Sequence, residues 1–125
     1  MDKVAGIILL VDSIETSVSF YKKLGFEIVK EVPHTATTVR LGDFWVELLH
    51  NSRVVTEEYK EDISNPKKGA GIYLQIEVES TDTFYDTIVG NGVVPSGKPK
   101  DFPWSQREFI VVDPDGYKLA FFNSI

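Results

Sequence analysis

Few side chains in this sequence could make or break a covalent bond. Cysteine is absent, which excludes disulfide staples and thiolate metal sites and fits a reducing compartment. No nucleophile sits beside a base, and no phosphate loop or histidine pair is present. His34 lies in the loop after Pro33 and His50 ends a strand, and both read as surface histidines. What the sequence does offer is recognition chemistry. Phe102-Pro103-Trp104 puts two aromatics in a loop just ahead of Arg107, and loop aromatics have no core to fill unless something comes to meet them. Pro103 fixes its own φ and limits how far the loop can wander.

Charge and composition narrow the partner. The formal charge of −6 makes nucleic acid a poor ligand, because phosphate binding needs a basic patch, and it attracts cationic small molecules. The length of 125 residues suits one domain with its own core. No apolar run approaches membrane-spanning length, the longest being Ile7 to Val11, so no membrane association is expected. The chain enters that run almost at once, with no signal-peptide pattern ahead of it, and a cytoplasmic protein is expected.

The elements that position the aromatic loop follow from periodicity and turn chemistry. Val4 to Val11 reads as a strand, and Asp12 and Glu15 are spaced like a capping box opening a helix. Ile14, Val18, Tyr21 and Leu24 give that helix a buried stripe, and Gly25 ends it. Strands follow from Phe26 to about Val32, Thr37 to Leu41 and Phe44 to Leu49. Asn51 to Lys68 is polar and aperiodic and reads as a connector, with a short helical turn near Thr56 to Tyr59. The pattern then restarts: a strand from Gly71 to Glu79, a helix from Ser80 to Asn91, a strand near Val93 to Ser96, and a hairpin. In the hairpin, Arg107 to Val112 and Tyr117 to Phe122 flank the turn Asp113-Pro114-Asp115-Gly116.

The restart is a repeat. Val11-Asp12-Ser13 is echoed by Val78-Glu79-Ser80, an offset of 67 (78 − 11), and Gly25 by Gly92 at the same offset (92 − 25). Phe44-Trp45-Val46-Glu47-Leu48 is echoed by Tyr117-Lys118-Leu119-Ala120-Phe121. One order of elements occurring twice indicates an internal duplication. Module one runs over residues 3–50, the connector over 51–68 and module two over 69–125.

This order, with Phe20-Tyr21-Lys22-Lys23-Leu24-Gly25-Phe26 in the first module and Asp113-Pro114-Asp115-Gly116-Tyr117 in the second, resembles the vicinal-oxygen-chelate superfamily of glyoxalases, extradiol dioxygenases and bleomycin-resistance proteins. Pro103 to Phe109 looks most like the bleomycin-resistance branch. The resemblance implies an α+β fold, with two tandem βαβββ modules forming curved sheets that enclose a cup. In the family's metalloenzymes a divalent ion takes four side chains, from the first and last strand of each module. Here those positions fall at Ala5, Glu47, near Tyr73, and at Ala120. Glu47 alone is a strong ligand, and a lone carboxylate does not hold a divalent ion against water. Neither a metal nor another cofactor is expected.

Strand alternation then assigns the implied cup its lining. Trp45, Glu47, Tyr73, Gln75, Ala120 and Phe122 point inward, and Phe102, Trp104 and Arg107 stand near the mouth. Such a pocket suits a flat or cationic organic ligand. Each residue has a plainer use as well. Trp45 could pack a dimer interface, Glu47 could pair with Arg40, Tyr73 could be half-buried in its strand, and Arg107 could brace the loop. Three functions remain open. The favoured one is a metal-independent, homodimeric small-molecule binding protein of the bleomycin-resistance type. The others are a glyoxalase- or dioxygenase-like metalloenzyme with atypical ligands and a protein-interaction module.

Overall fold

Two ten-residue helices, cut from dissimilar sequence, begin and end in the same way. Helix α1 spans Ile14–Lys23 and α3 spans Thr81–Gly90, so both ends keep the offset of 67 (81 − 14 and 90 − 23). Ser13 caps the first by accepting a hydrogen bond from the Thr16 N–H, and Ser80 caps the second from the Thr83 N–H, each at 3.2 Å. The serine oxygen satisfies one of the amides that the first helical turn leaves without a carbonyl. Ser13, not Asp12, is therefore the cap of α1. The Asp12 carboxylate instead accepts a 2.8 Å hydrogen bond from the Asn51 side-chain amide.

Both helices also stop on one device. The N–H of Phe26 reaches back to the carbonyl of Tyr21 and that of Gly25 to Lys22, all at 3.0 Å; Val93 to Ile88 and Gly92 to Val89 repeat this. Gly25 and Gly92 hold φ values of +98° and +95°, which a side chain would disfavour.

The computed structural model describes residues 1–53 and 57–125 and contains two compact units, Met1–Pro66 and Lys67–Ile125. In the first, β1 (Ile7–Val11), β2 (Glu27–Val32), β3 (Ala36–Leu41) and β4 (Phe44–His50) form a mixed sheet in the order β1-β4-β3-β2. In the second, β5 (Tyr73–Glu77), β6 (Lys100–Phe102), β7 (Gln106–Val112) and β8 (Lys118–Ser124) form one in the order β5-β8-β7-β6. In each sheet the strand before the helix pairs parallel with the last strand of its unit, and the other pairings are antiparallel. The fold is α+β, with the βαβββ order twice.

Each core lies between a sheet and its own helix. Leu9, Val11, Val39, Val46 and Leu48 share the sheet face beneath α1 with Tyr21 and Leu24, and all are buried. Tyr21 meets Phe26 edge to face at 5.1 Å. In the second unit Leu74, Phe109, Val111, Leu119 and Phe121 are buried on the helix side, and Phe84 of α3 lies 4.6 Å from Phe121. Asp113 organises the final hairpin: one carboxylate oxygen accepts from the N–H groups of Asp115 and Tyr117, both at 2.9 Å.

Several boundaries differ from expectation: β5 is shorter than Gly71 to Glu79, and β7 and β8 are each displaced by one or two residues at an end. Residues 4–6 are not strand, because Gly6 takes φ +152° and leaves the extended conformation. Val93 to Ser96 is not strand either. Val93 is buried directly after the glycine that ends α3, Val94 is exposed, and Pro95 interrupts the run. The third strand of that unit is β6. The connector carries short 3-10 turns at Asn51–Arg53 and Glu57–Tyr59 and a helix, α2, at Lys60–Ser64. Thr56, where the expected turn begins, lies outside the described residues. Among the described residues no helix is long and apolar enough to cross a membrane.

Candidate ligand-binding faces

Each sheet has one face under its helix and one face without a helix, and the period of two along a strand assigns every side chain to one of them. On the first sheet Glu47 stands between Ile8 of β1 and Thr38 of β3. Trp45 lies one step along the same face of β4, opposite Arg40. Arg40 is thus the cross-strand partner of Trp45 rather than of Glu47. These residues are on the face away from α1, and Trp45, Glu47, Ile8, Thr38, Lys30 and Val29 line an open depression of about 530 Å³ with residues 5–7 at its rim. Gly6 is required there, since a Cβ at that position would lie 2.7 Å from the Trp45 carbonyl oxygen.

On the second sheet Tyr73 stands opposite Lys118, Gln75 opposite Ala120, and Phe122 between Glu77 and Glu108. All are on the face away from α3. The ammonium of Lys118 sits over the Tyr73 ring at 5.3 Å, a cation–π contact. Phe102 closes β6 on the same face, and the ring of Trp104 stacks on it, 4.7 Å between centroids and 19° between planes. Lys100 places its ammonium 4.9 Å from the Phe102 centroid. The aromatic segment is therefore a tight β6–β7 turn rather than an open loop. Ser105 holds it at φ +61°, and the Ser105 carbonyl accepts from the Ile125 N–H at 3.1 Å. Trp104 keeps 58% of its surface exposed although one ring face is covered.

Arg107 does not join this group. It stands opposite Asn123 and Asp101, on the helix-side face of β7. Its Nε donates to Asp82 of α3 at 3.1 Å and its Nη1 to Asp101 at 3.0 Å. Those hydrogen bonds, Asp101 first and then Asp82, raise its pKa above the ordinary guanidinium value, so the side chain stays charged. Expected at a pocket mouth, Arg107 instead ties α3 to the edge strand. The physical reason is alternation: β7 starts at Gln106, and an odd step from the Phe102 rung turns the side chain to the opposite face. The same count along β7 brings in a residue not selected from the sequence, Glu108, which alternation could have found.

The donor chemistry of the four metal-ligand positions does not fit a divalent ion. Beside Glu47 the first-strand candidates are Ile8, in register with it, and Ala5, ahead of β1; neither has a lone pair to give. In the second unit Ala120 has none, and the residue on its rung is Gln75, not Tyr73. Among the described residues no group of three or more His, Asp or Glu is arranged to hold a metal. His34 and His50 lie elsewhere. His34 Nδ1 is 3.5 Å from Glu15 Oε1 with both side chains exposed, and His50 Nδ1 hydrogen-bonds with Ser52 Oγ.

Comparison with known proteins accounts for the paired architecture. A family model described as the Glyoxalase/Bleomycin resistance protein/Dioxygenase superfamily matches residues 3–121. Over 52 residues the chain is 40% identical to the bleomycin resistance protein of Geobacillus stearothermophilus, covering 41% of this chain and 39% of that protein. The matched stretch thus spans well under half of that relative. A glyoxalase/bleomycin resistance protein/dioxygenase from Nocardioides superposes with a TM-score of 0.78 at 20% identity, over 100% of this chain and 85% of that one. A bleomycin-binding protein complexed with bleomycin superposes with a TM-score of 0.70, also at 20% identity, over 99% of this chain and 100% of that one. At such identities the structural likeness is one of fold. With two βαβββ units, each capped and ended alike, and a family match from residue 3 to residue 121, the chain belongs to the Glyoxalase/Bleomycin resistance protein/Dioxygenase superfamily.

Proposed function

We propose that this protein is a metal-independent, cytoplasmic binding protein of the bleomycin-resistance type, which sequesters a flat aromatic compound and favours cationic ones. The observation that carries this reading is the Phe102–Trp104 stack on the helix-free face of the second sheet, with an indole that is 58% exposed. A stacked, turn-anchored tryptophan has lost its rotamer freedom before any ligand arrives, so a planar molecule on its open face meets a preorganised platform. Stacking there contributes on the order of 1 kcal/mol beyond simple burial. Tyr73, Gln75 and Phe122 extend the same face, and Glu47 adds an acidic group on the helix-free face of the first unit. The formal charge of −6 favours a cation at long range. The partial identity to bleomycin resistance proteins supports the ligand class.

Titration with bleomycin tests this reading. Tryptophan fluorescence should quench with a saturable isotherm, and Trp104→Ala should weaken binding several-fold while leaving the thermal midpoint of the free protein nearly unchanged. Unfolding of Trp104→Ala would make the turn scaffold only. Stoichiometric zinc, nickel, manganese or iron on the purified protein, lost in Glu47→Gln, would overturn the metal-free reading.

A further inference from the structure

Where β4 ends, a serine hydroxyl and an imidazole are already in contact. The strand stops at His50 and the chain passes at once into the 3-10 turn Asn51–Arg53. The backbone N–H of Ser52 donates to His50 Nδ1 at 3.2 Å. An amide N–H can only donate, so Nδ1 is the unprotonated nitrogen of the ring and the proton sits on Nε2. The Ser52 hydroxyl, 2.5 Å from the same Nδ1, is then a donor to it as well. Backbone pairing holds the base in place. The His50 N–H donates to the Thr35 carbonyl at 2.9 Å, and His50 stands in register with Val11 of β1. Both residues line a pocket of about 470 Å³ together with Ile14, Glu15 and His34. None of the five lines the depression on the helix-free face of this sheet.

We propose that Ser52 and His50 form a nucleophile–base pair, and that this pocket transfers the acyl group of small aryl esters to water. A hydroxyl within hydrogen-bond reach of an unprotonated ring nitrogen is the arrangement that activates a serine. The Ser52 oxygen bonds to the ester carbonyl carbon as its proton passes to His50 Nδ1, and the carbonyl π electrons move onto oxygen. Collapse of that intermediate breaks the bond to the leaving oxygen, which departs with the proton from Nδ1. Water then attacks the acylated serine, gives a proton to Nδ1, and the carboxylic acid leaves as the proton returns to the Ser52 oxygen. His34 lines the same pocket. In its protonated form it pairs through Nδ1 with Glu15 at 3.5 Å, and its Nε2–H is then available to the carbonyl oxygen as charge develops there. The leaving group follows from what braces the base. Among the described residues no carboxylate holds His50, so the imidazolium is stabilised less than in a triad and a good leaving group, a phenolate, is required. The reaction is independent of the aromatic face on the second sheet.

Two probes test the pair on the full chain: hydrolysis of para-nitrophenyl acetate, followed by nitrophenolate absorbance, and labelling with an alkyl fluorophosphonate, mapped by peptide mass spectrometry. The wild-type protein should hydrolyse the ester faster than buffer and carry one phosphonyl group, on Ser52. Ser52→Ala should lose the label and fall to the buffer rate. His50→Gln should slow both reactions on the order of 100-fold, the usual contribution of a positioned base. Ser52 is exposed, so Ser52→Ala keeps the fold and carries the test even where His50→Gln lowers the thermal midpoint. A wild-type protein that takes no label and hydrolyses no ester overturns the proposal. So does a label on any residue other than Ser52, hydrolysis that survives in Ser52→Ala, or a folded His50→Gln variant labelled at the wild-type rate.

Discussion

Trp104 and Arg107 stand three residues apart and do opposite work, because a turn and one odd strand step separate the faces they reach. Trp104 stays on the helix-free side, stacked on Phe102. Arg107 crosses to the helix side, where two aspartates hold it. Arg107→Gln should therefore lower the thermal midpoint by a few degrees and leave aromatic-probe affinity unchanged. A loss of affinity with no change in midpoint would return the residue to the binding face. Thr37 offers a second test at this scale. Its hydroxyl is buried and, among the described residues, lacks a hydrogen-bond partner, and it sits opposite Leu48 under α1. Thr37→Val keeps the branched shape and removes the orphaned group, so it should stabilise by about 1 kcal/mol in a denaturant melt. A destabilised variant would show that the hydroxyl is answered.

At the scale of elements, the sequence is legible where local chemistry decides and opaque where a partner strand decides. The helices were readable because Ser13, Ser80, Gly25 and Gly92 act on their own neighbours within a few residues. The faces of β4 and β5 were readable because alternation is strict: Val46 and Leu48, then Leu74, are buried between exposed or half-exposed neighbours. β6 was not. Lys100-Asp101-Phe102 has no hydrophobic pattern of its own and exists by pairing with β7, whereas Val93-Val94 looks like strand but supplies one buried contact after the glycine. Cap equivalence makes a sharp prediction. Ser13→Ala and Ser80→Ala should each cost about 1 kcal/mol, measured by urea unfolding, because both serines make the same 3.2 Å bond. A cost confined to one of them would mean that the two units differ in how much of their stability comes from the helix start.

At the scale of the whole molecule, the unresolved choice in the sequence was whether Trp45 meets a ligand or another copy of the chain. Its surroundings favour the second copy. Ile8, Val29, Val32 and Trp45 are all exposed large apolar residues of the first sheet, and Ile8, Val32 and Trp45 share its helix-free face by register. The neighbouring edge strand β2 is exposed along its full length. Apolar side chains gathered on one face, beside an open edge, gain free energy by association, and a two-fold pairing buries the same patch on both partners. The charges around them, Lys30 and Glu47 among others, are of both signs and so compatible with self-pairing. The protein should therefore run as a homodimer in light scattering at micromolar concentration. Trp45→Glu, which sets a charge in the middle of the patch, should shift it to monomer while Trp104-dependent ligand binding persists. A monomeric wild-type protein, or a Trp45→Glu variant that stays dimeric but loses ligand affinity, would give Trp45 to the ligand instead.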